Sequence, residues 1–252
     1  MIAHLDADSF YVSAERIRAE KYRNCPVGVL GNNGACVIAR SYELRAFGVK
    51  TGEPVWEAKQ KCPQGIFIKR DFRWYEAVSK RLLELLKTVS PRVEFYSIDE
   101  WFFAADELTR EFGNPLDEAA RRLQARVFEH VGVPVSIGLA SSKTLAKLGS
   151  DAAKPLGVCV LLGEDVSEFL KSQPVSEVCG IGARSTAKLA EIGIVTCFDF
   201  IQADRKMIRD LLTIKGEGLW WELRGESVQK IVTQRPQHKF VSSGGSVGRA
   251  IT

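Results

Sequence analysis

Four acidic residues stand in two pairs, each pair following a short apolar run. Asp6 and Asp8 follow residues 1–5, and Asp99 and Glu100 close Tyr96-Ser97-Ile98-Asp99-Glu100. Carboxylates crowded beside a sheet are costly to keep ionised unless cations offset their repulsion. Three or four such oxygen donors suit two divalent ions about 3.5–4 Å apart. Mg²⁺ in particular favours carboxylates together with water and substrate phosphates. Residue types alone leave two readings open: a two-ion centre, or turn carboxylates that face solvent.

A second group is cationic. In Arg40-Ser41-Tyr42-Glu43-Leu44-Arg45, helical spacing puts Ser41 and Arg45 at i and i+4, with Tyr42 beside them. A Tyr and an Arg on one surface can hold a triphosphate by hydrogen bonds and charge. Lys154, just before Pro155, adds another cation. The same residues also read as ordinary solvated surface.

The third group is glycine-rich. Gly180-Ile181-Gly182 precedes a helical stretch from Arg184 to Glu191, and Lys215-Gly216-Glu217-Gly218 precedes another. A tight turn into a helix exposes backbone N–H groups that grip a phosphate without reading sequence. The pattern fits a helix-hairpin-helix element or a plain helical turn.

These residues need elements to hold them. Alternation and apolar runs predict strands over 1–5, 27–30, 35–39, 66–69, 92–97, 101–104, 133–139 and 158–162. Gly31-Asn32-Asn33-Gly34 reads as the turn of a hairpin. Helices are expected over 9–18 with Ser9 as N-cap, 41–47, 54–61, 71–89, 116–130 and from Ser141-Ser142 to 153. Tyr75, Val78, Leu82, Leu85, Leu86 and Val89 mark one apolar face of the fifth-turn-long helix at 71–89. The order suits an antiparallel sheet covered by helices, an α+β layer. Past Gly163 strands give way to short helices, which puts a domain boundary near residue 165.

The composition is that of an ordinary globular chain, 45% hydrophobic and 26% charged over 252 residues. No apolar run is long enough to span a membrane. Residues 230–252 carry Lys230, Arg235, Lys239 and Arg249 and no acid, which matches the whole net charge of +4. Such a tail suits phosphate contact or a solvated linker. The 6 cysteines form no CxxC pair and share no ligand spacing with His4, His130 or His238, which argues against zinc. Reduced thiols, Cys159 among the buried ones, and a cytoplasmic, nucleoid-associated setting are expected.

The ordered set resembles the Y-family (UmuC/DinB) translesion DNA polymerases, from Met1 to Thr252. The matching blocks are Asp6-Ala7-Asp8-Ser9-Phe10-Tyr11, Ala39 through Arg45 with Phe47 through Pro54, and Ser97-Ile98-Asp99-Glu100. Val135 through Ala140, Lys143, Ala146-Lys147, Ala153-Lys154-Pro155, Gly180-Ile181-Gly182 and Ser246-Val247-Gly248-Arg249 follow in order. The resemblance implies a palm at 1–10 and 72–165, small α/β fingers at 11–71 and a helix-hairpin-helix thumb at 166–232. It implies a linker and the first strand of a truncated little finger at 233–252, hence weak DNA affinity.

The resemblance also implies roles. Asp6 and Asp99 would bridge two Mg²⁺ ions, with Mn²⁺ as a substitute. Glu100 would bind the ion nearest the primer end, and the Ala7 carbonyl would complete the second ion's shell. Phe10 and Tyr11 would face the dNTP, Tyr11 as the steric gate against a ribose 2′-hydroxyl. Tyr42, Arg45 and Lys154 would hold the triphosphate. Gly180, Ile181, Gly182, Lys215, Gly216 and Gly218 would meet DNA, and Asp8 would be structural. Trp101 stands where relatives often carry a small residue, either packing on the palm or narrowing the primer side. Ala39 replaces a phosphate-touching hydroxyl of some relatives. The implied partners are primer-template DNA and dNTP, with a sliding clamp, recombinase filament or accessory mutagenesis subunits reached through regions outside this chain. The alternatives are a non-catalytic DNA-binding scaffold, which the intact acids disfavour, and a two-metal cyclase, which the thumb motif disfavours.

Overall fold

The structure is a computed structural model that describes residues 1–31 and 34–234. The expected linker and terminal strand therefore lie outside the described residues from position 235 on, as do Asn32 and Asn33 of the hairpin turn.

The main sheet has five strands in the order β5-β6-β1-β7-β8. They are β1 (Ile2–Ala7), β5 (Val93–Phe95), β6 (Glu100–Ala104), β7 (Val135–Ala140) and β8 (Val158–Val160). Central β1 runs antiparallel to both β6 and β7. The predicted antiparallel sheet gains one parallel edge, since β8 lies parallel to β7. A helix, α7 (Lys143–Ala153), connects those two strands, and such a crossover returns the chain in the same direction. Because β8 is an edge strand, Cys159 is half-buried rather than buried.

Side chains on a strand alternate between faces. Ala3, Leu5, Trp101, Phe103, Val135, Ile137 and Leu139 face one core. There they meet α4 (Phe72–Val89) and α6 (Leu116–Val131) through Tyr75, Val78, Leu82, Leu123 and Val127. The opposite face carries Ile2, Phe102 and Ala140, which pack on Leu145 and Leu148 of α7. Gly138 lets α7 approach closely, because a Cβ there would lie 1.9 Å from the Ala146 carbonyl oxygen. Trp101 is fully buried in the first core, edge-on to Phe95. It packs within the sheet and does not narrow a cleft. A short helix, α5 (Asp106–Phe112), fills a stretch for which no element was predicted. Its Leu108 and Phe112 are buried against α6, but one apolar pair in seven residues is a weak periodic signal.

A second sheet, β3-β2-β4, is built from β2 (Val27–Leu30), β3 (Val37–Arg40) and β4 (Ile66–Lys69). It packs with α2 (Tyr42–Ala46) and α3 (Val55–Lys61) around Leu30, Val37, Leu44, Val49 and Ala58. Ser41 caps α2 by accepting the Leu44 N–H. Between the first two strands comes α1 (Phe10–Arg18). Ser9 occupies its N-cap position but does not cap it. Its backbone is left-handed, with φ 46°, whereas a capping side chain requires an extended backbone.

Helices α8 (Asp165–Ser172), α9 (Ala183–Glu191), α10 (Cys197–Gln202) and α11 (Arg205–Leu223) complete the described chain. Leu170, Leu189, Phe200 and Ile208 join the same hydrophobic cluster as the α7 face of the main sheet. Helix α11 is broken at Thr213, where φ is 68° and ψ −171°. All six cysteines are free, and among the described residues no helix is long and apolar enough to cross a membrane.

Candidate active site

Strand register decides where the acids meet. Asp6 pairs in register with Glu100 on β6 and with Ser136 on β7. Asp6 and Glu100 have the same parity as Ile2 and Phe102, so both point to the α7 side. Asp99 joins them from the β5–β6 turn, its carbonyl accepting the Ala7 N–H at 2.9 Å. The three acids line a cleft of about 420 Å³ with Ala7, Phe10, Tyr11, Arg45 and Lys154. Eight of the residues singled out in the sequence therefore converge, although they come from positions 6 to 154.

Within the cleft the acids are held by hydrogen bonds and lysines. Lys154 Nζ lies 2.7 Å from Asp6 Oδ2 and 2.7 Å from Asp151 Oδ1. Lys147 pairs with Glu100, and with Asp151 at 3.3 Å. The Ser97 hydroxyl stands 2.6 Å from Asp99 Oδ1 and 3.0 Å from Glu100 Oε2. Buried His4 places Nε2 3.4 Å from Glu100 Oε1. Burial pushes the Asp6 carboxyl up to about 7 against the pull of Lys154. Burial also raises Asp99. At Glu100 burial opposes ionisation, but His4 and Lys147 outweigh it and hold the carboxyl well below its usual range. Both lysines resist desolvation through their carboxylate neighbours, which raise their pKa values.

The donor set suits a hard divalent cation, since it consists of carboxylate oxygens in a partly dry cleft. Among the described residues no three metal-ligating side chains are already drawn together. The reason lies in the pairs above: Lys154 holds Asp6, Lys147 holds Glu100 and Ser97 holds Asp99. Cations would take over the neutralising role that the two ammonium groups now perform.

Tyr11 lies against the cleft floor, its ring stacked on Tyr75 with centroids 4.5 Å apart. Arg45 covers the Tyr42 ring at 4.7 Å. Tyr42 itself stands behind the cleft lining, with its hydroxyl 3.4 Å from Asp8 Oδ1. Ala39 lines the cleft too.

The glycine-rich residues divide. Gly180, Lys215 and Gly218 line a neighbouring crevice of about 500 Å³ with Tyr96, Lys143 and Lys147. Gly182 is the N-cap of α9. Ile181 and Gly216 are buried. Ile181 is a core residue whose N–H already donates to the Val178 carbonyl at 2.9 Å. Gly216 is buried inside the second half of α11, because the helix restarts before Lys215 rather than after Gly218. The element before the first turn is a single 3-10 turn, Val175–Glu177, instead of a full helix.

Three charged cleft residues, Arg40, Lys147 and Asp151, and the buried His4 beside Glu100 received no role from the sequence. Lys147, Asp151 and Lys154 fall at i, i+4 and i+7, so a charged stripe on the α7 face was legible. For His4 and Arg40 the sequence carried no signal: His4 meets Glu100 through the β1–β6 pairing, and Arg40 comes from the separate β3-β2-β4 sheet.

Residues 5–151 match the model of the impB/mucB/samB family, and residues 163–194 match the IMS family HHH motif. DNA polymerase IV 1 of Bacillus subtilis (strain 168) is 37% identical over 249 residues, covering 98% of this chain and 59% of that protein. Protein ImpB of Salmonella typhimurium is 34% identical over 261 residues, covering 100% of this chain and 61% of its own length. The chain thus spans about three fifths of the curated relatives it matches. Among solved structures, the insertion ternary complex of Dbh DNA polymerase superposes with TM-score 0.81 at 27% identity, over 91% of this chain and 69% of that one. DinB from Sulfolobus solfataricus gives TM-score 0.80 at 27% identity, over 92% and 69%.

Proposed function

The chain belongs to the impB/mucB/samB family, and on that premise we propose that it is the catalytic core of a template-directed, lesion-bypass DNA polymerase. The observation that carries the reading is the convergence of Asp6, Asp99 and Glu100 with Tyr11, Arg45 and Lys154 in one cleft. The relatives named DNA polymerase IV support it. In this reading residues 1–10 and 72–165 form the palm, 11–71 the fingers and 166–232 the thumb. Primer-template DNA and dNTP are the substrates.

Asp6, Asp99, Glu100 and the Ala7 carbonyl would hold two Mg²⁺ ions. Bound there, such ions acidify a primer 3′-hydroxyl and neutralise the triphosphate and leaving pyrophosphate. The chain's own residues do the rest by position and charge. Arg45 and Lys154 meet the β- and γ-phosphates, and Tyr42 supplies a hydroxyl beside them. Tyr11 fills the space a ribose 2′-hydroxyl needs. Gly180, Gly182, Lys215 and Gly218 face the duplex backbone from the thumb side.

Primer extension with Mg²⁺ and dNTP tests the reading. Asp99→Ala is expected to lower extension by at least about 10³-fold with an unchanged circular dichroism spectrum. Undiminished extension by that variant would falsify the metal-site assignment.

A further inference from the structure

A carboxylate removed from water needs hydrogen bonds on both oxygens. Asp8 is 1% exposed, and it takes those bonds from three separate elements. The Ser136 hydroxyl of β7 lies 3.0 Å from Oδ1 and 3.1 Å from Oδ2. The Leu156 N–H donates to Oδ2 at 2.8 Å. The Tyr42 hydroxyl of α2 is 3.4 Å from Oδ1. Asp8 is itself anchored, its N–H donating to the Pro134 carbonyl at 2.9 Å and its carbonyl accepting the Ser13 hydroxyl at 2.6 Å.

Two of these partners belong to elements that carry phosphate-facing groups. Leu156 is two residues beyond Lys154 and has a φ of 55°, a conformation that non-glycine residues rarely adopt. Its N–H bond to Asp8 holds that turn in place. Tyr42 opens the helix that carries Arg45.

We propose that Asp8 is a positioning residue that ties the Lys154 turn and the Tyr42 hydroxyl to β7, so that both sides of the triphosphate grip keep a fixed spacing. The proposal rests on the polymerase reading above. Asp8 touches neither substrate nor ion. Its carboxylate sets where Lys154 starts from, and holds the Tyr42 hydroxyl through the 3.4 Å hydrogen bond.

The test compares the wild-type chain with Asp8→Asn and the milder Ser136→Ala. An Asn can accept on only one atom, so either the Leu156 N–H or the Tyr42 hydroxyl loses its acceptor. Losing a charge-assisted hydrogen bond of this kind is expected to raise KM for dNTP about tenfold, with kcat kept within about threefold. Amide hydrogen exchange at Lys154, Leu156 and Gly157 is expected to quicken in both variants, and this readout needs no turnover. Ser136→Ala is expected to shift both readouts the same way by less, which keeps the test open if Asp8→Asn folds poorly. Unchanged KM and unchanged exchange in a folded variant overturn the Asp8 role alone. A wild-type chain that takes up no dNTP overturns the polymerase reading, and the Asp8 role with it.

Discussion

The Lys154 ammonium lies 2.7 Å from Oδ2 of Asp6, so a cation of the chain occupies the carboxylate that a divalent ion would need. The two cations compete for one anion. In the proposed reading, an ion on Asp6 would leave Lys154 with Asp151 alone, able to turn toward the triphosphate.

Opposite effects on ion and nucleotide follow for Lys154→Ala. With one positive charge fewer, the cleft is expected to bind Mn²⁺ a few times more tightly at pH 8.5, where Asp6 is ionised. KM for dNTP is expected to rise about tenfold from the lost phosphate contact. Mn²⁺ titration by electron paramagnetic resonance, beside steady-state kinetics, checks both. Weaker Mn²⁺ binding would refute the competition.

Tyr11 is held by more than its own backbone. Its ring stacks on Tyr75 at an interplanar angle of 20°, and the Tyr75 hydroxyl donates to Glu15 Oε1 at 2.8 Å. Tyr11→Ala should raise the ratio of ribonucleotide to deoxynucleotide use at least about tenfold. Competition assays on one template read that ratio, and a constant value removes the steric-gate role.

A close approach in the main sheet predicts a stability effect. Gly138→Ala would press a Cβ against the Ala146 carbonyl, 1.9 Å away, and the Ser150 nitrogen, 2.5 Å away. Neither backbone atom can yield without moving α7 from the sheet. A loss of about 2 kcal/mol or more is expected from urea unfolding. An unchanged midpoint would show that α7 moves freely.

Acid sensitivity should be visible at the start of α4. Asp71 pairs with Arg18 Nη1 at 2.8 Å and accepts the Trp74 N–H at 3.2 Å. The Arg18 bond first, and the Trp74 N–H second, hold its carboxyl below the ordinary value. A depressed folded pKa stabilises above the unfolded value of about 3.9 and stops doing so as pH falls through the folded value. The urea midpoint of the wild type should therefore exceed that of Asp71→Asn at neutral pH, and the gap should close as pH falls from about 4 through the folded value. A gap that persists below the folded value would assign the effect to shape rather than charge.

Much of this molecule was legible in the sequence because its signals are local. The apolar face of α4, the hairpin signal around Gly31 and Gly34 and the Ser142 cap of α7 all act within a few residues. The three acids were legible for the same reason, as polar residues closing apolar runs. What stayed open was whether they met, since two carboxylate pairs 93 positions apart (Asp6 to Asp99) carry no local sign of contact.

Only the tertiary structure decided that. The register Asp6 opposite Glu100, and the shared parity of the two residues, turned turn acids into a cleft. Long-range packing also overrode local chemistry. Ser9 lost its capping role to a left-handed backbone, Gly216 was drawn into a helix, and Ile181 became core. His4 reached Glu100 through the β1–β6 pairing, and Arg40 reached the cleft from the second sheet. Sequence specifies what each residue can do by its own chemistry. Hydrogen-bond register and close packing select which residues do it together, because both depend on partners far away along the chain.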